Sequence, residues 1–142
     1  MRVKDFMTPN PATILPDDNL KTALERMAQV GRRLPVVNDH GVLIGIITDR
    51  DIRLVMNSPL VMRERWQDEY LMQTTTVGVC MANDPITISP NAPLQEAVGL
   101  LLKGHFSGLP VVDDERNVVG VITVTDLMRA LVEMLTQDYP QT

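Results

Sequence analysis

The chain carries the same sequence pattern twice. The pattern Met-x3-Pro-x-Thr-Ile-x-Pro-x3-Leu-x2-Ala runs from Met7 to Ala23 and returns at Met81, 74 residues later. A second pattern, Pro-Val-Val-x-Asp-x5-Gly-x-Ile-Thr-x2-Asp, begins at Pro35 and returns at Pro110, 75 residues later. Because one repeat corresponds to one supersecondary unit, the duplication predicts two similar halves related by a pseudo-two-fold axis. A cleft between such halves should occur twice, and two related clefts favour a binding module.

Composition limits the class of protein. With 142 residues, 44% of them hydrophobic, the chain can form one compact domain or two small subdomains that share a core. The net charge of −5 argues against nucleic acid and anionic membrane as partners, because both require clustered Lys and Arg. No apolar run reaches the ~18 residues of a membrane-spanning helix. The single cysteine, Cys80, cannot form an internal disulfide, so we expect a cytosolic protein in which Cys80 is a small buried hydrophobe.

Each repeat predicts the order strand, helix, strand, strand, helix, and therefore an α/β (α+β) fold. Apolar residues recur at helical spacing from Leu20 and from Leu94, and Gly31 and Gly104 are expected to end these helices. Runs of β-favouring residues predict the strands Ala12–Leu15, Leu34–Asn38 and Val42–Thr48 in the first repeat, and Ile86–Ser89, Leu109–Asp113 and Val118–Thr123 in the second. A closing helix should follow the third strand of each repeat.

A segment without a repeat partner lies between the two copies. We therefore expect a first repeat over residues 1–57, a helical connector over 58–76 and a second repeat over 77–139. Within the connector, Leu60–Met72 can form a helix with three large side chains on one side: Met62, Trp66 and Tyr70. Two interpretations stay open. This side packs on its own domain, or it contacts a second subunit, where Trp and Tyr are typical anchors.

The chemistry most suggestive of a site lies where the third strand of each repeat ends. There the sequence reads Thr48-x2-Asp51 in the first copy and Thr123-x2-Asp126 in the second. A Thr three residues before an acidic residue resembles a capping box, in which the threonine satisfies free amides at the helix start. The same geometry suits a ligand, because a helix N-terminus attracts phosphate and a carboxylate one turn in can accept the hydroxyls of a ribose. The motif alone leaves both interpretations open.

The surrounding motifs resemble a tandem pair of CBS (cystathionine β-synthase) domains over nearly the whole chain. The matching motifs are Val3-x-Asp5-x-Met7-Thr8-x2-Pro11, Arg33-Leu34-Pro35-Val36-Val37 and Gly45-x2-Thr48-x2-Asp51, with their second-copy counterparts. The arrangement is similar to the stand-alone bacterial pairs related to the acetoin-utilisation regulator. The resemblance implies two βαββα repeats packed sheet to sheet, with clefts that bind adenosyl ligands such as AMP, ADP, ATP or S-adenosylmethionine.

The resemblance also implies which residues form the two clefts, each of which mixes the copies. The Thr and Asp of one copy would hold ribose and phosphate, while the first strand of the other copy and the residues before its Pro-Val-Val would hold the base. Site one would combine Thr123 and Asp126 with Thr13, Ile14, Arg33, Leu34 and Pro35. Site two would combine Thr48 and Asp51 with Thr87, Ile88, Ser107, Leu109 and Pro110.

The two sites should differ in charge. Arg32-Arg33 offers guanidinium groups suited to phosphate, whereas the matching Ser107-Gly108 offers no positive charge. We therefore expect the site with Arg33 and Asp126 to prefer charged nucleotides, and the other to be empty, weak or selective for a less charged adenosyl compound. His105 can add charge only at lower pH, and a structural role is the simpler interpretation. Where the first copy has Thr8, the second has Ala82, so the sites need not be equivalent at this edge.

No catalytic set is evident in the sequence. His40 and His105 have no metal-ligand spacing to each other or to Cys80, and no phosphate-binding loop of the G-x4-G-K-S/T kind is present. The sequence therefore predicts a regulatory protein rather than an enzyme: a homodimer that binds an adenosyl ligand, without a metal or other cofactor, and signals to a partner protein. The alternative is a ligand-free structural or dimerisation module that docks on an enzyme or transporter.

Overall fold

Two three-stranded antiparallel sheets organise the protein, whose computed structural model describes residues 1–56 and 65–138. The elements in chain order are α1 (Val3–Phe6), β1 (Thr8–Pro9), α2 (Leu20–Val30), β2 (Arg33–Val37), β3 (Leu43–Thr48), α3 (Asp49–Met56), α4 (Arg65–Thr74), α5 (Val77–Cys80), β4 (Ala82–Asn83), α6 (Leu94–Gly104), β5 (Gly108–Val112), β6 (Val118–Thr123) and α7 (Val124–Asp138). The mixed α/β class predicted from the repeats is confirmed. No helix within the described ranges is long and apolar enough to cross a membrane.

The chain divides into two compact units that do not coincide with the sequence repeats. Unit 1 joins Met1–Pro11 to the chain from Ile86 onward, and unit 2 is Ala12–Pro85. Each sheet is completed by a two-residue strand from the sequence of the other repeat. In unit 1, β1 pairs with β6 through Thr8 and Val121, and in unit 2, β4 pairs with β3 through Ala82 and Ile46.

Unit 2 has the strand order β2-β3-β4, with its core beneath α2, α3 and α5. The side chain of Asn19 caps α2 by accepting a hydrogen bond from the Thr22 N–H over 2.9 Å, which satisfies one of the free amides at the helix start. The apolar face of α2 then packs on the sheet. The core residues are Ile14, Leu20, Ala23, Met27, Leu34, Val36, Ile47, Ile52 and Val77.

Unit 1 repeats this arrangement with the strand order β1-β6-β5 and helices α1, α6 and α7. Its core residues are Val3, Ile88, Leu94, Ala97, Leu101, Leu109, Val111, Ile122 and Ala130. The β5–β6 register of Gly108 with Thr123 matches the β2–β3 register of Arg33 with Thr48. The two units therefore place equivalent residues at equivalent positions, as the duplicated sequence predicts.

Two predicted strands are reduced to single bridges. Within Ala12–Leu15, only Ile14 forms a bridge, parallel to Val36, and within Ile86–Ser89, only Ile88 does so, with Val111. The prediction of full strands there was wrong because prolines flank both segments and remove the donors that a longer ladder needs. The four other predicted strands are confirmed to within one residue at each end.

The ends of α2 and α6 differ from each other. Gly31 follows α2 with φ +116°, a backbone conformation that only glycine adopts without strain. Gly104, in contrast, is the last residue of α6, and His105 takes the left-handed cap conformation with φ +54°. The helix thus ends at Gly104 as predicted, but the left-handed residue is His105 and not the glycine.

The described part of the connector packs on unit 2. Lys21 of α2 lies 3.9 Å from Glu69 of α4 (Nζ to Oε1), and the Leu20 N–H donates to the Thr75 carbonyl over 3.1 Å. Of the predicted anchors, Trp66 and Tyr70 are 66% and 64% exposed, and Met62 lies outside the described residues. Contact of this exposed side with a second subunit stays a prediction.

Candidate functional site

A reciprocal set of hydrogen bonds shapes the point where β3 ends and α3 begins. The Thr48 N–H and Oγ1 donate to Asp51 Oδ2 over 2.9 and 3.0 Å, and the Asp51 N–H donates back to Thr48 Oγ1 over 3.2 Å. This is the predicted capping box, with Asp in place of the usual Glu or Gln. We name the segment Thr48–Asp51 the Asp51 corner.

The start of α7 repeats this geometry in unit 1. The Thr123 N–H and Oγ1 donate to Asp126 Oδ2 over 2.9 and 3.0 Å, and the Asp126 N–H donates to Thr123 Oγ1 over 3.2 Å. The segment Thr123–Asp126 is the Asp126 corner. Because the cap uses one oxygen of each aspartate, the functional difference between the corners depends on what contacts the second oxygen, Oδ1.

Protein donors already occupy the second oxygen of Asp126. Arg129 Nη1 donates to Asp126 Oδ1 over 3.2 Å, and Thr8 Oγ1 reaches the same atom at 3.5 Å. Asp126 is only 2% exposed, whereas the Arg129 side chain is 71% exposed. A buried carboxylate is costly unless it is paired, and Arg129 supplies the charge that pairs it.

The second oxygen of Asp51 is open by comparison. In the part of the chain that the structure describes, the hydrogen bonds of Asp51 all involve Oδ2 or the backbone N–H, and no donor contacts Oδ1. The positions equivalent to Thr8 and Arg129 hold Ala82 and Leu54, neither of which carries a polar hydrogen on its side chain. Asp51 is half-buried, and no fully buried side-chain oxygen of the described residues lacks a hydrogen-bond partner, so the open Oδ1 reaches the surface, where a ligand hydroxyl can contact it.

The charges near the Asp51 corner are mixed. Arg33 lies opposite Thr48 in the β2–β3 register. Burial lowers the pKa of the Arg33 guanidinium, while the carboxylates of Asp51 and Asp49 act in the opposite direction, which places this cation near the corner. An arginine stays protonated in proteins, so a lasting positive charge lies near these two carboxylates.

Cys80 also belongs to the surroundings of the Asp51 corner. Burial raises the pKa of the Cys80 thiol, and the charge of Asp51 raises it further. The thiol is half-buried against the core of unit 2, in agreement with the expected role as a small hydrophobe. Its raised pKa makes the reactive thiolate scarce at neutral pH.

The apolar residues of the predicted sites are core residues. Ile14, Leu34, Ile88 and Leu109 are between 0 and 4% exposed, and Pro35 and Pro110 are also fully buried. The backbones of Ile14 and Ile88 are engaged as well, because each residue accepts and donates a hydrogen bond to its neighbouring strand. These side chains can support a ligand from beneath, but the solvent-accessible groups of the sites are polar.

The remaining predicted residues lie at the edges of the same units. The Thr13 carbonyl accepts a hydrogen bond from Arg26 Nη1 over 2.7 Å, and Thr87 is half-buried. Ser107 is exposed, and its carbonyl accepts the Val124 N–H at the start of α7. Unit 2 thus brings together Thr13, Ile14, Arg33, Leu34, Pro35, Thr48 and Asp51, and unit 1 brings together Thr87, Ile88, Ser107, Leu109, Pro110, Thr123 and Asp126. The combination across units, on which sites one and two depend, stays a prediction.

Sequence reasoning missed Arg129 and the contact of Thr8 with Asp126. An arginine three residues after an aspartate on a helix is typical of an exposed ion pair, so it gives no specific signal. The useful signal was the comparison of the copies, since Arg129 aligns with Leu54 and Thr8 with Ala82. Within residues 1–56 and 65–138, no group of three or more His, Cys, Asp or Glu side chains could hold a metal ion.

Comparison with known proteins gives a consistent result. The CBS domain family model matches residues 3–58 and again residues 77–133. A CBS domain-containing protein of Dictyostelium discoideum is 36% identical over 140 residues, which cover 98% of this chain and 97% of that protein. Other relatives are longer: the chain is 28% identical to inosine-5'-monophosphate dehydrogenase of Methanocaldococcus jannaschii but spans only 22% of it.

Three solved structures share the fold. CBSX2, a CBS-pair protein from Arabidopsis thaliana solved with AMP, superposes with a TM-score of 0.77 at 29% identity, covering 94% of this chain and 98% of that one. The CBS domain pair of protein MJ0100, solved with 5'-methylthioadenosine and S-adenosyl-L-methionine, gives 0.77 at 27% identity, with the same coverage. An acetoin utilization protein (AcuB) from Vibrio cholerae gives 0.78 at 28% identity, covering 100% and 98%. The chain therefore belongs to the CBS domain family, as a tandem pair similar to the stand-alone proteins of that family.

Proposed function

We propose that this protein is a cytosolic regulatory module that binds an adenosyl ligand and passes its occupancy to a partner protein, without catalysing a reaction. The candidate ligands are AMP, ADP, ATP and S-adenosylmethionine. The observation that carries the proposal is the open Oδ1 of Asp51 beside the Thr48 hydroxyl. A carboxylate oxygen accepts the hydroxyls of a ribose, and in site one the Arg33 guanidinium would pair with phosphate.

The relatives support this choice of ligand class. CBSX2 has been solved with AMP, and the MJ0100 pair with two adenosyl compounds. This chain is also similar to part of a nucleotide-converting enzyme, which agrees with a role of the CBS pair in regulating other proteins. Binding would shift the module between two conformations. The ligand can shift this equilibrium only by the difference between its binding free energies to the two conformations. We keep the two predicted sites as part of the proposal: Thr123 and Asp126 with the first-repeat residues, and Thr48 and Asp51 with the second-repeat residues.

Calorimetric titration with AMP, ATP and S-adenosylmethionine tests the proposal, and Cys80 provides a local reporter. Because the charge of Asp51 raises the pKa of the Cys80 thiol, a ligand that binds in the Asp51 corner should change the rate at which iodoacetamide alkylates Cys80. The assay needs a pH above the ordinary thiol pKa of about 8.5, because burial raises the pKa of Cys80. If all three ligands at millimolar concentration gave no heat, no thermal shift and no change in the alkylation rate, the proposal would be contradicted.

We also propose that the protein is a homodimer that uses the exposed face of α6 and α7. A groove of about 900 Å³ lies on this face, and no Asp, Glu, Lys or Arg side chain lines it. Several of its large hydrophobic residues are highly exposed, among them Leu102 at 71% and Met128 at 59%. Monomers rarely expose apolar patches of this kind. Because the chain carries a net charge of −5, two copies meet with least repulsion at a face lined by no acidic side chain.

A Leu102→Glu substitution tests the dimer. It places a negative charge on the apolar face of each copy, so sedimentation velocity should show the monomer where the parent chain shows the dimer. A matched Val79→Glu substitution, at a residue of unit 2 that is 76% exposed, should leave the dimer intact. A parent chain that sediments as a monomer at micromolar concentration would rule out the dimer and leave ligand binding untouched.

The alternative function is a ligand-free docking module. Two observations favour it: the Asp126 corner satisfies all its own hydrogen bonds, and Trp66 and Tyr70 are exposed on α4. Under this alternative both corners are only helix caps, and capture of a partner through α4 should not depend on added nucleotide.

A further inference from the structure

Two of the differences between the copies act on the same atom of the corner aspartate. Thr8 and Arg129 contact Oδ1 of Asp126, and their counterparts Ala82 and Leu54 leave Oδ1 of Asp51 open. Thr8 and Ala82 occupy the same register position beside β6 and β3, and Arg129 and Leu54 both lie three residues after the aspartate. Two separate substitutions with one consequence point to a difference in ligand selection between the corners.

The two corners differ in how many hydrogen bonds their aspartate can still accept. A carboxylate offers about four lone-pair positions, two on each oxygen. In Asp126, Thr123 supplies two donors to Oδ2, and Arg129 and Thr8 supply one each to Oδ1, so the capacity is used. In Asp51, the two donors from Thr48 fill Oδ2 and the positions on Oδ1 remain available within the described residues. A ribose can therefore bind Asp51 directly, but must displace Arg129 from Asp126.

The charge of the ligand decides whether that displacement is favourable. A neutral nucleoside that displaces Arg129 leaves the guanidinium without its partner, in exchange for uncharged hydroxyl donors. A nucleotide brings its own anion, so the guanidinium can leave the carboxylate and pair with phosphate. The Arg129 side chain is 71% exposed, so it can move without opening a void in the core.

We propose that Arg129, assisted by Thr8, is a specificity-determining residue that makes the Asp126 corner selective for phosphate-bearing adenosyl ligands. The Asp51 corner, which has leucine at the equivalent position, accepts the ribose of adenosyl ligands with or without phosphate. The inference rests on the proposed adenosyl-binding function and deepens it, because it assigns a different ligand charge to each corner.

The test uses adenosine and AMP as a matched pair of probes that differ by the phosphate. In the full chain carrying Asp51→Asn, which disables the open corner, calorimetry should find AMP bound about tenfold more tightly than adenosine. Adding Arg129→Leu, which copies Leu54, should strengthen adenosine binding about fivefold and weaken AMP binding. A purely structural role of Arg129 would shift both affinities in the same direction.

Two further variants separate charge from folding. Arg129→Lys keeps the cation and should keep most of the preference for AMP, whereas Lys103→Leu removes a positive charge from another helix of unit 1 and should leave the preference unchanged. The reciprocal change, Leu54→Arg in a chain carrying Asp126→Asn, should create a preference for AMP at the Asp51 corner.

Each remaining outcome decides against the inference. An AMP-to-adenosine ratio that Arg129→Leu does not change would overturn it. Binding of neither probe to the Asp51→Asn chain, with binding to the parent chain intact, would show that the Asp126 corner takes no ligand; the inference then fails and the proposed function stands. If the parent chain binds neither probe, the inference fails, and the titrations with ATP and S-adenosylmethionine decide whether the proposed function fails with it.

Discussion

An Asp51→Asn variant is expected to bind adenosine about 10- to 100-fold more weakly than the parent chain. Asparagine keeps the shape of the side chain, and its oxygen can still accept the Thr48 N–H, so the cap of α3 should persist. Its amide nitrogen, however, takes the place of Oδ1 and replaces a charged acceptor with a neutral donor. The loss is therefore confined to the hydrogen bonds that a ribose diol would make, and calorimetry with adenosine measures it.

The matched control is Asp126→Asn, which makes the same change in the other corner. Because Oδ1 of Asp126 already accepts from Arg129 and Thr8, this variant should change adenosine affinity less than twofold. Thermal unfolding should show that both variants remain folded. Equal losses of adenosine affinity in the two variants would contradict the asymmetry, and no loss in either would remove Asp51 from the site.

The helices and the longer strands could be predicted because their signals are local. The α2 helix begins at Leu20 as predicted, since the apolar spacing and the preceding Asn19 cap lie within a few residues of each other. Strand β3 ends at Thr48 as predicted, because the apolar run stops there and a capping box follows. In each case the residues that stabilise the element are close to it in sequence.

The short strands β1 and β4 could not be predicted, because their partners lie far along the chain. Thr8 pairs with Val121, and a strand of two residues has no periodicity to detect. The same pairing assigns the first eleven residues to the unit of the second repeat. Repeat boundaries read from the sequence therefore did not reveal the composition of the compact units.

In the candidate site, too, the local features could be predicted and the long-range contact could not. The duplicated Thr-x-x-Asp motif predicted both corners and their caps, because all of the atoms belong to one turn of chain. The sequence also drew attention to Thr8 and Ala82 as a difference between the copies. It did not show that Thr8 and Arg129 meet at one oxygen of Asp126. Thr8 is 118 positions from Asp126 in the sequence and Arg129 is three, so the two side chains converge on that oxygen only in the folded chain.

The largest effect on stability is expected from adding a methyl group to Gly45 of β3. A Cβ at this position would lie 2.6 Å from the Met81 sulfur and 2.8 Å from the Ala82 carbonyl oxygen. The methionine side chain can move, but the carbonyl belongs to β4, the strand paired with β3, so the clash is relieved only by shifting the backbone. We expect Gly45→Ala to lower the free energy of unfolding by about 1–3 kcal/mol, measured by urea denaturation.

Gly120 and Gly99 provide the comparison that makes this result interpretable. A Cβ on Gly120 would lie 2.5 Å from the Met7 sulfur and 3.0 Å from the Thr8 carbonyl oxygen, so Gly120→Ala should destabilise slightly less than Gly45→Ala. At Gly99, in the middle of α6, a Cβ meets nothing within 4 Å, and alanine should stabilise the helix by up to about 1 kcal/mol. The order of stability is therefore Gly99→Ala, parent, Gly120→Ala, Gly45→Ala. If Gly45→Ala proved as stable as Gly99→Ala, β4 could not approach β3 this closely, and the Ala82 side of the Asp51 corner would have to be rebuilt.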